Sequence, residues 1–244
     1  MRTRTQKKSE HKTAVILQSN YIPWKGYFDL INSADEFIFY DTVRYTEHDW
    51  RNRNRIKTYN GLQWISIPVV TKNRYDQAIC EARVLNGLWA RKHWNAIRMN
   101  YTKAPHFKKY SDIFKSLYEE LENEVLISKI NFRFIQVICE LLGCSSNFTW
   151  SGDYQLIDGK TERLVDLCEK VEATHYISGP AAKEYIDETV FKSANIELIF
   201  KDYSGYPEYP QLYGSFEHNV SVLDLLFNMG DEAHHYIWGW RAST

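Results

Sequence analysis

The sequence predicts an α/β fold, a Rossmann-like parallel sheet carrying a helical subdomain. Three observations lead there. Short β-branched and aromatic runs recur along the chain: TAVILQS (13–19), EFIFYDTV (36–43), THYISG (174–179) and IELIFKDY (196–203). The first two enclose a helix-like segment within about thirty residues, a βαβ spacing that implies parallel pairing. Between the two groups of strands, residues 88–142 carry helical rather than alternating periodicity.

Taken in order, TAVILQS reads as a buried strand, and Pro23 and Gly26 punctuate a loop before the helix-like YFDLINSA. EFIFYDTV is the second strand and GLQWISIPV (61–69) a third, which places the charged segment before it between two strands. QAICEARVL (77–85) alternates and reads as another strand. LWARKHWNAIRMNYTKA, SDIFKSLYEELEN and ISKINFRFIQVICELLG are amphipathic helices, the last closed by Gly143 as a C-cap. Then NFTW (147–150) is a strand, 159–171 a helix, 174–179 a strand, 181–194 a helix, 196–203 a strand and 221–230 a helix. The domain organisation this predicts is a disordered basic tail (1–12), a first βα half (13–86), a helical subdomain (87–145), a second βα half (146–230) and a C-terminal tail (231–244).

The 244 residues are 44% hydrophobic and include 17 Tyr and 8 Trp, enough for a substantial core and unlike a disordered chain. A formal net charge of −1 gives no bulk attraction for nucleic acid, so any anion site must be local. Cys80, Cys139, Cys144 and Cys168 form no C-x-x-C pair and sit in apolar contexts, which reads as buried free thiols and predicts no metal site. No signal peptide and no apolar run near 18 residues is present, so a cytoplasmic location without membrane insertion is expected. Oligomeric state is not legible.

The chemistry concentrates in DWRNRNRIK (49–57). In an extended segment Arg51, Arg53 and Arg55 share one face and Asn52 and Asn54 the other, giving three planar donors in a row for phosphate or carboxylate oxygens. A solvated edge strand would show the same pattern. Ligands of parallel sheets bind at the carboxyl ends of strands, and QSNYIPWKGYF, YDTVRYTEHDWRNRNR and SGPAAKEY all leave such ends. From these come the candidate substrate-binding residues Gln18, Tyr21, Trp24, Gly26, Tyr45, Trp50, Arg51, Asn52, Arg53, Asn54 and Arg55. Asp41 and His48 are the candidate bases. Ser178, Gly179 and Lys183 form a candidate phosphate turn at the start of the 181–194 helix. Asp41 paired with an arginine and SGPAAK as an ordinary capped helix start are the structural alternatives. His234-His235 reads as part of a solvated tail. Walker A, G-x-G-x-x-G, H-E-x-x-H and G-x-S-x-G motifs are absent.

The string QSNYIPWKGYFDLINSADEFIFYDTVRY, followed by WRNRNRIK, WISIPV, W-x-x-x-H-W-x-x-I, Y-x-K-A-P-x-F, YISGPAAKEYID and SVLDLLFNMG, resembles the WbqC-like family over about residues 13–230. That family looks like bacterial proteins encoded among surface-glycan genes such as O-antigen (lipopolysaccharide) or flagellin-sugar loci. The resemblance implies modification of an amino sugar or nucleotide sugar; the first reading built on it is an acyl or aminoacyl transferase acting on the amine of a nucleotide-linked amino sugar. A fainter similarity links the PWKG loop and the ISGPAA turn to HIGH-motif nucleotidyltransferases, with Trp24 and Tyr27 where that motif has histidines. It implies the alternative of ATP-dependent carboxylate activation, which would use ATP and Mg²⁺; beyond that alternative the sequence assigns no cofactor. A third alternative is a non-catalytic module that binds a glycan precursor or partner enzyme. The expected partners are a nucleotide-linked amino sugar and an acyl or aminoacyl donor; a tRNA carrying the aminoacyl group is the one nucleic acid compatible with that chemistry.

Overall fold

The computed structural model describes residues 11–243. Nearly all of the expected basic tail at 1–12 lies outside the described residues. The chain forms two compact units. The first comprises the residues up to Leu17, Leu30–Phe39 and Ser146–Asp202; the second comprises Gln18–Asp29, Tyr40–Ser145 and Tyr203 onward.

In the first unit, β1 (Thr13–Leu17), β2 (Glu36–Phe39), β5 (Asn147–Trp150), β6 (His175–Ser178) and β7 (Glu197–Phe200) make a parallel sheet in the order β5-β2-β1-β6-β7. The register sets Val15 against Phe37, Phe37 against Phe148 and Tyr176 against Leu198. The central strands β1 and β2, buried along nearly their whole length, were legible as near-continuous apolar runs. Glu36 is the exception, a buried carboxylate at the start of β2. Asn147 Nδ2 donates to it at 3.0 Å, Thr149 Oγ1 at 2.9 Å, and Lys12 Nζ lies 3.7 Å away. Helix α5 (Thr161–Lys170) precedes β6, and α6 (Glu188–Ser193) precedes β7. The helix expected over 181–194 is broken. Pro180–Glu184 is a 3-10 turn, and α6 starts afresh where the Asp187 carboxylate accepts from the Thr189 amide at 2.9 Å.

The second unit holds an antiparallel hairpin, β3 (Arg53–Thr58) and β4 (Gly61–Ser66), with α2 (Leu88–Tyr101), α3 (Phe107–Glu120), α4 (Ile127–Leu142) and α7 (Val222–Met229). Two expectations are corrected here. The arginine segment is itself a strand, paired with 61–66 outside the parallel sheet. The stretch 77–85 holds a 3-10 turn at Ile79–Glu81, flanked by isolated bridges from Ala78 and Val84, so its alternation is not that of a strand. Gly143 closes α4 in the left-handed region, φ 76°, the geometry glycine adopts without a side-chain clash. The core is aromatic: Tyr21, Trp89, Tyr118 and Phe134 pack together, and Tyr21 Oη bonds His93 Nδ1 (2.9 Å) and Tyr118 Oη (2.7 Å). Residues 231–243, expected as a tail, continue into two 3-10 segments. There Ile237 is buried and Arg241 bonds the buried Asp29 carboxylate at 2.8 Å.

Candidate functional site

Alternation along β3 puts Asn54 and Ile56 inside and Arg53 and Arg55 outside. Asn54 Nδ2 donates to the carbonyls of Tyr21 (3.1 Å) and Ile22 (2.9 Å), and Asn52 Nδ2 to that of Ile67 (2.9 Å). The Tyr21 amide donates to Trp50 O at 2.9 Å. The loop after β1 is thereby tied to the arginine strand at three points. Ile22, fully buried and β-branched, is held at φ 35°, a backbone strain that needs such ties.

This loop and the strand enclose a cavity of about 240 Å³ lined by Asn20, Pro23, Trp24, Trp50, Asn54 and Asn219. Amides and indoles dominate it. Gly26 explains how Trp24 reaches its place: a Cβ on Gly26 would lie 2.2 Å from the Trp24 ring. Trp24 also packs edge-on against Tyr203, with ring centroids 5.1 Å apart.

Beside the cavity, Trp50 and Trp64 lie 5.4 Å apart, each about two-fifths exposed. The Arg53 guanidinium sits 4.2 Å from the Trp64 ring centre; that of Arg55 is 5.4 Å from Trp64 and 5.7 Å from Trp50. Buried Nε atoms of both arginines have no hydrogen-bond partner, and neither forms an ion pair with a described residue. Arg51 differs, because Asp49 Oδ2 lies 3.1 Å from it. The expected row of three guanidiniums is thus two plus an ion pair.

The other expected residues divide between cavity and framework. Tyr21 is core, its hydroxyl engaged with His93 and Tyr118, so it does not wall the cavity. Gln18 contributes its backbone carbonyl to Tyr27 Oη at 3.0 Å. Tyr45 is buried, and desolvation raises its hydroxyl pKa well above the ordinary value, with Glu47 and Asp49 adding and Arg53 opposing. His48 is exposed in a left-handed turn, φ 57°. Asp41 is 2% exposed and accepts from the Ser19 amide at 2.8 Å, one residue from the cavity wall at Asn20. Its Oδ2 is buried without a partner. Burial raises its pKa, while the Ser19 bonds and Arg51 pull it back.

The SGPAAK segment lies in the other unit and offers no α-helix N-terminus. Ser178 Oγ accepts from Tyr176 Oη at 3.4 Å, the Gly179 carbonyl accepts from the Ala182 amide, and Lys183 Nζ stands 5.2 Å over the Phe200 ring. A 3-10 turn aligns too few amides to act as a helix terminus, which corrects the reading of these residues as a helix-start phosphate cradle. Of the two histidine positions of the HIGH-like string, Trp24 is a cavity wall and Tyr27 is buried with its hydroxyl on the Gln18 carbonyl.

Sequence reading missed Asn20, Trp64, Asn219 and Lys25. Lys25 is 3% exposed. Its Nζ donates to Pro207 O at 3.1 Å and stands 4.9, 5.4 and 5.7 Å from the rings of Tyr206, Tyr209 and Phe216. No described carboxylate pairs with it, and burial pushes its pKa down to about 8. The signal for Lys25 was the basic residue inside PWKG; Asn219 had none, being 199 positions beyond Asn20.

The family model described as the WbqC-like protein family matches residues 18–236, which include every residue of this cavity. The chain belongs to the WbqC-like family. It is similar to "Uncharacterized protein Rv1507c" of Mycobacterium tuberculosis (strain ATCC 25618 / H37Rv), 51% identical over 226 residues, covering 93% of this chain and 97% of that protein. No solved structure matches. The parallel sheet expected from the βαβ spacing is present, and no helix among the described residues is long and apolar enough to cross a membrane. No group of three or more His, Cys, Asp or Glu side chains among them could hold a metal ion.

Proposed function

We propose that this member of the WbqC-like family is an enzyme of surface-glycan biosynthesis that modifies a nucleotide-linked amino sugar by acyl or aminoacyl transfer to its amine. The observation that carries the reading is the amide- and indole-lined cavity beside two arginines that lack carboxylate partners. Indole faces suit the C–H face of a sugar ring and amides its hydroxyls, while paired guanidiniums suit phosphate oxygens. Asn20 and Asn219 bind the sugar between Trp24 and Trp50, while Asn54, its amide committed to the Tyr21 and Ile22 carbonyls, holds the wall in place. Arg53 and Arg55 bind the phosphates, and Asp41 takes the proton released when the amine attacks the donor's acyl carbon. The C–N bond forms as the acyl–S bond of a thioester donor or the acyl–O bond of an aminoacyl ester breaks, and the departing thiolate or alkoxide takes up that proton. Asp41 suits that role because it is held by the loop that lines the cavity and its second oxygen is unpartnered.

Replacing Arg53 with Ala tests the reading. Each charge-assisted contact is worth about 1.5–3 kcal/mol, so the dissociation constant of a nucleotide-linked amino sugar should rise at least about tenfold at unchanged melting temperature. Equal affinity in the variant defeats the phosphate assignment.

A further inference from the structure

A second cavity, of about 310 Å³, lies between β4 and α2 in the same unit, and Trp64 is part of its wall. Gln63, Ser66, Asn86, Lys92 and His93 supply its polar lining, and none of its lining residues is acidic. His93 is buried, bonded through Nδ1 to Tyr21, and burial lowers its pKa to about 4; Lys92 is therefore the cation at this wall. The cavity is continuous in chemistry with the first. Trp50 walls one, Trp64 walls the other, their rings are 5.4 Å apart, and Arg53 and Arg55 are grouped on those two rings.

We propose that the β4–α2 cavity is the nucleoside subsite, with the base stacked on the half-exposed Trp64 indole and its polar edge met by the Gln63 and Asn86 amides. This rests on the reading of the first cavity as the sugar site, and it adds where the nucleotide's other half binds. The order along the surface then matches the order of the ligand: sugar in the asparagine cavity, phosphates on Arg53 and Arg55, nucleoside beyond Trp64. A planar ring is the moiety that an exposed indole takes up best, since stacking requires only a π-face and the amides supply selectivity at the edge. The absence of acidic lining residues leaves nothing to repel the adjoining phosphates.

The test is calorimetry on the full chain with UDP, GDP, ADP, CDP and dTDP, with glucosamine 1-phosphate and inorganic phosphate alongside. The variants are Trp64→Leu and Asn219→Ala, both at exposed positions. At least one nucleoside diphosphate should bind tighter than inorganic phosphate. Because Arg53 and Arg55 rest on the Trp64 ring, inorganic phosphate reports any displacement of them. Trp64→Leu should weaken the nucleoside diphosphate at least tenfold more than it weakens inorganic phosphate, with glucosamine 1-phosphate falling no further than inorganic phosphate, and Asn219→Ala should weaken glucosamine 1-phosphate alone. Nucleoside diphosphates no tighter than phosphate, or an affinity indifferent to Trp64→Leu, overturn the nucleoside subsite. If glucosamine 1-phosphate then still binds and still depends on Asn219, the sugar-site reading stands alone. If only the Trp64-dependent nucleotide binding is seen, the sugar-site reading falls instead.

Discussion

Lys25 offers a test of the buried framework around the candidate site. Its ammonium is enclosed by Tyr206, Tyr209 and Phe216, with one carbonyl bond and no described carboxylate, and its pKa falls from the ordinary 10.5 to about 8 because burial disfavours the charge. The folded state therefore binds this proton more weakly than the unfolded chain. Below pH 8 both states carry it and the folded state bears the full penalty. Between about pH 8 and 10.5 the unfolded chain holds more of the proton, so stability rises with pH. Lys25→Met removes the charge and keeps the chain length. Tyrosine and thiol titrations are common to both proteins, so they cancel in the difference, as does most of the His218 term; the neighbouring Lys25 charge lowers the His218 pKa further. At about 1.36 kcal/mol per pH unit, wild type should gain on the variant by about 2 kcal/mol between pH 7 and 9.5, falling to about 1 kcal/mol where residual hydration screens the ammonium. Urea unfolding at several pH values over that range measures it. A difference that stays flat with pH would show that the ammonium is not confined as the rings and the carbonyl suggest.

Gly26→Ala places a methyl 2.2 Å from the Trp24 ring, so the indole must leave its place in the cavity wall. Calorimetry with a nucleotide-linked amino sugar should show binding weakened tenfold or more, and unaltered binding would remove Trp24 from the site. Asp41→Asn keeps an oxygen for the Ser19 amide and removes a buried charge, so the variant should be at least as stable as wild type at pH 7 while acyl transfer falls at least a hundredfold. Transfer within a few-fold of wild type, followed as amine consumption, would rule out Asp41 as the base.

How much of this was legible varies by element and for physical reasons. Strands β1 and β2 were readable because burial leaves near-continuous apolar runs such as AVIL and FIF, whereas the edge strand β7, with Glu197 exposed, was readable from the branched and aromatic side chains of IELIF. Helices α2, α3 and α4 were readable because each presents one apolar stripe to a core. Strand β3 hid itself: RNRIKT contains three charged residues, and its buried face begins with an asparagine. Its strand character is visible only through Ile56, the partner GLQWIS and the side-chain bonds that satisfy Asn54. In the 181–194 segment the period was helical, but IDET carries its own cap signal. Asp187 nucleates a new helix there rather than continuing the old one. Cavity membership was legible for Trp24, Trp50 and Asn54, which lie close in sequence. It was not legible for Asn219, placed by a chain crossing that no local pattern announces.

The asparagines between the arginines answer what that alternation is for. Had Arg51, Arg53 and Arg55 only decorated an exposed edge, nothing would constrain the residues between them. Instead Asn54 is 2% exposed and spends its amide on two successive carbonyls, one of them the residue held at positive φ. A non-glycine, β-branched residue in that region costs about 1–3 kcal/mol and persists where its surroundings over-determine it. Here the determinants are the Asn54 amide and the Trp50 carbonyl, both from the segment that presents Arg53 and Arg55. Movement of the arginine strand would therefore release the strained loop, and with it Asn20, Pro23 and Trp24 from the cavity wall. The two guanidiniums and the cavity-lining groups are thus held by one set of bonds. Under the proposed function, that coupling would fix a sugar and its phosphate relative to one another before any donor arrives, which is what transfer to a single amine requires.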